Sequence, residues 1–99
     1  MQDTFFTNTK VYRIKSSTKI HEYEEGFTSD HNYEFKAIYF SESSKEYWYV
    51  AIDYQATSFG IMTFEEVIEY LVLRNFMYEV LWCSPEVYEK HFASHFQEA

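Results

Sequence analysis

The sequence predicts an α+β fold: a small, mainly antiparallel sheet of about four strands, with two helices in the C-terminal half packed mainly on one of its faces. Three observations carry that reading. Aromatic and β-branched residues crowd Tyr33 to Phe40 and Tyr47 to Tyr54, a helix-opening signature stands at Thr63, and Ser84-Pro85 opens a second helix. At 99 residues the chain has the usual length of one domain, so residues 1–99 are expected to form a single domain.

The expected order is β-β-β-α-β-α. Val11 to Lys15 alternates, with Tyr12 and Ile14 on one face and Val11, Arg13 and Lys15 on the other, as a half-exposed strand does. Residues 16–32 are the least patterned: Lys19 to Tyr23 suits a short strand, and Gly26, Ser29, Asp30 and Asn32 suit an irregular loop. The segments 33–40 and 47–54 flank the polar run Ser41 to Glu46 and should pair as an antiparallel hairpin. In the second of them Trp48, Val50, Ile52 and Tyr54 share one face, the stronger core candidate, and Tyr47, Tyr49, Ala51 and Asp53 share the other. Both faces are apolar enough to call for a cover.

Thr63-Phe64-Glu65-Glu66 fits a capping box, with Met62 and Val67 placed as a hydrophobic staple. Phe64, Val67, Ile68, Leu71 and Val72 then form a helical stripe, and Asn75 stops it. Phe76 to Trp82 alternates again and predicts a strand, with Phe76, Tyr78, Val80 and Trp82 on one face. The terminal helix is expected from Pro85 to about Phe96, laying Tyr88, Phe92 and Phe96 on the sheet.

Composition narrows the role. Ten Tyr, ten Phe and two Trp make 22% of the chain aromatic, more ring surface than one sheet face of a small core can hide. The surplus implies a covered second face, by a partner, a ligand or another copy, and a homodimer is expected because Tyr and Phe concentrate at interface cores. The formal charge is −8. Residues 1–20 hold Lys10, Arg13, Lys15 and Lys19 against Asp3, so the acid belongs to the rest of the chain. A body this acidic repels phosphate, which argues against nucleic acid as partner; Arg13, Lys15 and Lys36 are too few to reverse that.

One cysteine, Cys83, excludes an intrachain disulfide, and the opening Met1-Gln2-Asp3-Thr4-Phe5-Phe6 lacks the basic start and apolar run of a secretion signal. A cytoplasmic location is therefore expected. The most apolar stretch, Val67 to Leu73, is short and broken by Glu69, so no membrane partner is expected.

No catalytic motif emerges. There is no glycine-rich phosphate loop, nucleophile elbow, Cys-x-x-Cys pair or dinucleotide fingerprint. His91, His95 and Glu98 stand at metal-ligand spacing, but the Glu that would follow the first His in a metalloprotease helix is missing, and neither a metal nor another cofactor is expected. His21 with Glu22, Glu24 and Glu25, and His31 with Asp30, read better as exposed charged segments than as acid–base sites. Cys83 precedes a helix start, where a thiol can be activated, yet the sequence places no His beside it.

The reading that remains is a non-enzymatic interaction module that meets a basic protein partner through an acidic and aromatic surface, as an inhibitor, immunity factor or mimic of nucleic-acid charge does. Glu65, Glu66, Glu69, Glu86 and Glu89 are its expected contacts. Its alternative is a small-molecule binder with an aromatic pocket enclosed between sheet and helices. Tyr33, Phe35, Tyr47 and Tyr49 are the candidates for such a pocket or for a dimer face.

Overall fold

The computed structural model describes residues 2–29 and 31–99. Met1, the first residue of the leader reading, and Asp30, the expected neighbour of His31, lie outside the described residues. Six strands and three helices are found among the described residues: β1 (Thr4–Phe6), β2 (Val11–Arg13), β3 (Thr18–Glu25), β4 (Glu34–Ser41), β5 (Glu46–Asp53), β6 (Thr57–Met62), α1 (Phe64–Leu73), α2 (Met77–Cys83) and α3 (Pro85–His91). A 3₁₀ turn, Ile14–Ser16, joins β2 to β3.

The main sheet is antiparallel in the order β3-β4-β5-β6, and β1 and β2 form a separate two-stranded ribbon. The central pair is the expected hairpin, in register from Glu34↔Asp53 to Ser41↔Glu46. Its pleat sorts side chains as the alternation predicts. Phe35, Ala37 and Tyr39 point with Trp48 and Val50 into one cluster, whereas Ile38 and Phe40 sit with Tyr47 and Tyr49 in another.

Each face has its own cover. The helices close the Ile38–Phe40 face with Val67, Leu71, Phe76, Val80 and Phe92. The opposite face is closed by the ribbon, whose Phe5 and Tyr12 are 5% and 4% exposed. Phe5 lies 5.2 Å from Phe59 and 5.9 Å from Trp48, and Tyr12 lies 5.6 Å from Trp48, centroid to centroid. The second face is thus covered by the chain's own N-terminal residues, and several surplus aromatics are consumed there. Trp48 Nε1 donates to Ser17 Oγ at 3.2 Å, so the buried indole keeps a polar partner.

Three expectations on the elements need correction. Phe76 to Trp82 does not form a strand: α2 occupies Met77–Cys83. The reason lies in the turn before it. Asn75 takes φ 61°, its N–H bonds Val72 O at 3.1 Å, and Phe76 N–H reaches back to Leu71 O at 2.8 Å. This is a Schellman motif with Asn at the left-handed position and a Leu71–Phe76 hydrophobic contact, and it delivers the chain straight into a new helix against α1. Phe76 and Val80, one turn apart, then both reach the core. The terminal helix also stops at His91 rather than Phe96. Finally, the sequence reading passed over β6 and β1; the first strand ends at Arg13 and turns into the 3₁₀ segment. β6 carries Gly60, a strand breaker by propensity, where a Cβ would stand 2.7 Å from the Tyr49 ring and force it aside.

The capping box forms as expected: Glu66 N–H donates to Thr63 Oγ1 at 3.1 Å and Thr63 N–H to Glu66 Oε1 at 2.8 Å. No helix among the described residues is long and apolar enough to cross a membrane.

Candidate functional site

Recasting residues 77–83 as a helix changes which aromatics are free. On a strand, Trp82 and Tyr78 would share a face with Val80. On α2, Val80 turns inward at 1% exposure while Tyr78, Leu81 and Trp82 are 57%, 40% and 72% exposed. Large apolar side chains left in water in a cluster are unusual and mark interaction surfaces.

Tyr78 and Leu81 border a groove of about 300 Å³ between the end of α1, α2 and the segment following α3, lined by Val72, Asn75, Met77, Tyr78, Leu81, Tyr88 and Phe96, and Trp82 stands beside it next to Tyr78. Tyr78 and Trp82 stand 5.7 Å apart, and Tyr88 and Phe96 stack with rings 5° from parallel. Leu73, 74% exposed, is a further apolar side chain left in water on the last turn of α1. Among the described residues, no charged side chain lines the groove. The signal that could have found it was the Phe76 and Val80 pair at helical spacing, which competes with the period-two pattern in the same residues.

Of the expected acidic contacts, Glu65, Glu66, Glu69, Glu86 and Glu89 are all exposed on α1 and α3. Glu65 and Glu69 lie two turns and one turn before Val72 on the same strip of α1, leading into the groove. Glu66 is held in the capping box and lines a different cleft with Met62, Glu69, Tyr70, Leu73 and Arg74.

The four aromatic candidates fall on opposite faces. Tyr33 and Phe35, both 7% exposed, belong to the ribbon-covered cluster and border a cleft of about 450 Å³ with Glu22, Glu24, Thr28, Ile52 and Asp53. Tyr33 OH donates to Glu24 at 2.7 Å, and this bond, then burial, raises the phenol pKa. Tyr47 and Tyr49 face the helices. Lys36 Nζ sits over both Tyr49 and Tyr70, at 4.8 and 4.2 Å, and burial lowers its pKa. The space between sheet and helices, where an enclosed ligand pocket was expected, is filled by Ile38, Phe40, Val67, Leu71, Val80 and Phe92.

The histidines separate as well. His91 Nδ1 lies 2.8 Å from Tyr47 OH, and burial, reinforced by Lys90 and opposed by Glu42, lowers its pKa. His95 is exposed and meets Phe64 and Phe96 edge-on. Among the described residues, no three His, Cys, Asp or Glu side chains converge as metal ligands. His31 stacks on Tyr54 with centroids 4.4 Å apart.

His21 is 7% exposed, stacked 4.5 Å from Phe76, with Nε2 2.9 Å from Glu79 Oε1. No His stands beside Cys83 in the sequence; in the fold His21 and Cys83 both border a cleft of about 290 Å³, together with Glu79 and Ser84. No hydrogen bond joins the thiol to the ring among the described residues, so the pair is a neighbourhood and not an assembled nucleophile–base dyad. No protein-family model, curated protein or solved structure matches the chain.

Proposed function

We propose that the chain is a non-enzymatic protein-interaction module that seats a basic, amphipathic segment of another protein in the α1–α2–α3 groove. The single observation that carries this reading is the exposure of Tyr78 and Leu81 on an uncharged groove, with Trp82 beside them, on the most acidic half of the chain. Tyr and Trp supply large, rigid contact area, and the exposed Glu65, Glu69, Glu86 and Glu89 on the flanking helices attract a cationic partner and fix its orientation. An inhibitor or immunity factor for a basic toxin or nuclease uses this chemistry, and so does a mimic of nucleic-acid charge. An exposed apolar groove serves the first of these better, because charge mimicry alone needs no Trp82. The groove's volume is at the lower edge of the range for small-molecule sites, which favours a side-chain knob of a protein partner over a free ligand.

The test is affinity capture at low salt with the immobilised chain, followed by binding of the recovered partner to two variants. Tyr78→Ala/Trp82→Ala is expected to weaken binding at least tenfold at any salt concentration, which is about 1.4 kcal/mol or more. Glu65→Lys/Glu69→Lys/Glu86→Lys/Glu89→Lys is expected to slow association and to flatten its salt dependence. A partner that binds both variants as it binds the native chain, or an acidic partner, would sink the reading.

A further inference from the structure

A different surface carries a second inference, independent of the groove. The main sheet has two edges, and they are built differently. β3 carries Lys19, His21, Glu22, Glu24 and Glu25, and a register shift between Lys19 and His21 kinks it. Charge and bulge are the ordinary means of blunting an edge. β6 has neither. From Tyr54 to Phe64 no residue is charged, the longest such run in the chain, and β6 pairs with β5 in unbroken register from Ile52↔Thr57 to Tyr47↔Met62.

The hairpin fixes which backbone groups of β6 face outward. Its closing pair is hydrogen-bonded, Asp53 N–H to Ala56 O at 3.0 Å. Along an antiparallel ladder, bonded and non-bonded pairs alternate. Ser58, Gly60 and Met62 therefore bond β5, and Thr57, Phe59 and Ile61 turn their N–H and C=O groups away from it. β6 is the last strand of the main sheet, and among the described residues no backbone group accepts from or donates to those three on the outer side. Ile61 is 41% exposed there.

We propose that β6 pairs antiparallel with β6 of a second copy about a twofold axis at Phe59, joining the two main sheets into one. The spacing of the outward residues is self-complementary: Phe59 meets Phe59 of the partner subunit, and Thr57 meets the partner subunit's Ile61, so every free donor finds an acceptor. Charge selects the occupant. Two copies at −8 each repel over most of their surface, and the uncharged edge is where they approach without bringing like charges together. A cationic peptide, by contrast, finds no carboxylate on this strand.

The proposal is tested by sedimentation equilibrium of the full chain over a concentration series, which is expected to give twice the 12.0 kDa chain mass at its upper end. Thr57→Lys/Ile61→Lys sets lysines against each other across both symmetry-related pairs and is expected to raise the dimer Kd about tenfold or more. Thr57→Lys/Ile61→Glu makes each of those pairs complementary and is expected to restore the native Kd. Native-state hydrogen exchange gives a readout without substitution: the Thr57, Phe59 and Ile61 amides gain protection as concentration rises. A chain monomeric throughout the series, edge amides whose exchange ignores concentration, or a Lys/Glu variant no tighter than the Lys/Lys variant would each overturn it.

Discussion

One carboxylate oxygen ties the N-terminal ribbon to the sheet. Glu46 Oε1 accepts from Tyr12 OH at 2.7 Å and from Lys10 Nζ at 3.0 Å. The Tyr12 bond, then Lys10, hold the Glu46 carboxyl below its ordinary pKa, while burial, with Glu46 in second place, pushes the Tyr12 phenol up to about 12. The two ends of the pH scale follow with opposite signs. Glu46 is depressed in the fold, so its contribution is complete above the unfolded carboxyl pKa and is lost as pH falls through the folded value. Tyr12 is raised, so its contribution is complete below the unfolded phenol pKa and is lost as pH rises toward about 12. Tyr12→Phe is expected to cost about 1–2 kcal/mol near neutrality, a hydrogen bond to a partly exposed charge. Glu46→Gln should make stability less sensitive to acid. Urea midpoints for both variants at neutral and acid pH check this; unchanged acid sensitivity in Glu46→Gln would remove the linkage.

At the level of elements, the punctuation residues decide what the hydrophobic pattern leaves open. Thr63→Ala deletes one half of the capping box and is expected to destabilise by about 1 kcal/mol. Asn75→Ala forces a Cβ-bearing residue without a polar side chain into φ 61° and should cost about 1–2 kcal/mol, whereas Asn75→Gly should cost nothing measurable. Equal losses from both Asn75 variants in thermal unfolding would mean the left-handed turn is not what the side chain serves. The same residues explain how far the sequence could be read. The β4–β5 hairpin and the start of α1 were legible because aromatic alternation and a capping box are local signals. The groove was not, because Phe76 to Trp82 satisfies both a period of two and an i, i+4 pair, and the Asn75 turn that decides between them acts through its packing on Leu71. β6 escaped because Gly60 lowers its strand propensity, for a reason that exists only once Tyr49 lies across it.

For the molecule as a whole, the excess of aromatic residues divides between covered and uncovered surfaces. The sheet was expected to keep one face for a partner, a ligand or another copy, with Tyr47 and Tyr49 on it, but the helices cover that face and the ribbon covers the Trp48 face, so neither is left open. Lys10, in the turn between the ribbon's strands, meets the acidic body in the same place by pairing with Glu46. If the ribbon is an integral layer, neighbouring residues in β1 must differ sharply in effect, because the pleat sends Phe5 into the cluster at 5% exposure and Phe6 into water at 71%. Phe5→Ala removes a ring packed on Phe59 and Trp48 and is expected to cost about 3 kcal/mol, with the usual relaxation of a site near the molecular surface. Phe6→Ala should stay within about 0.5 kcal/mol of the native chain. Chemical denaturation of the two variants checks this directly. If Phe5→Ala were as mild as Phe6→Ala, the ribbon would be a loosely held flap, and the Trp48 face would again be available to another molecule. If the difference appears, the aromatics left without an internal partner are mainly those of α2 and the groove, which is where binding should be sought.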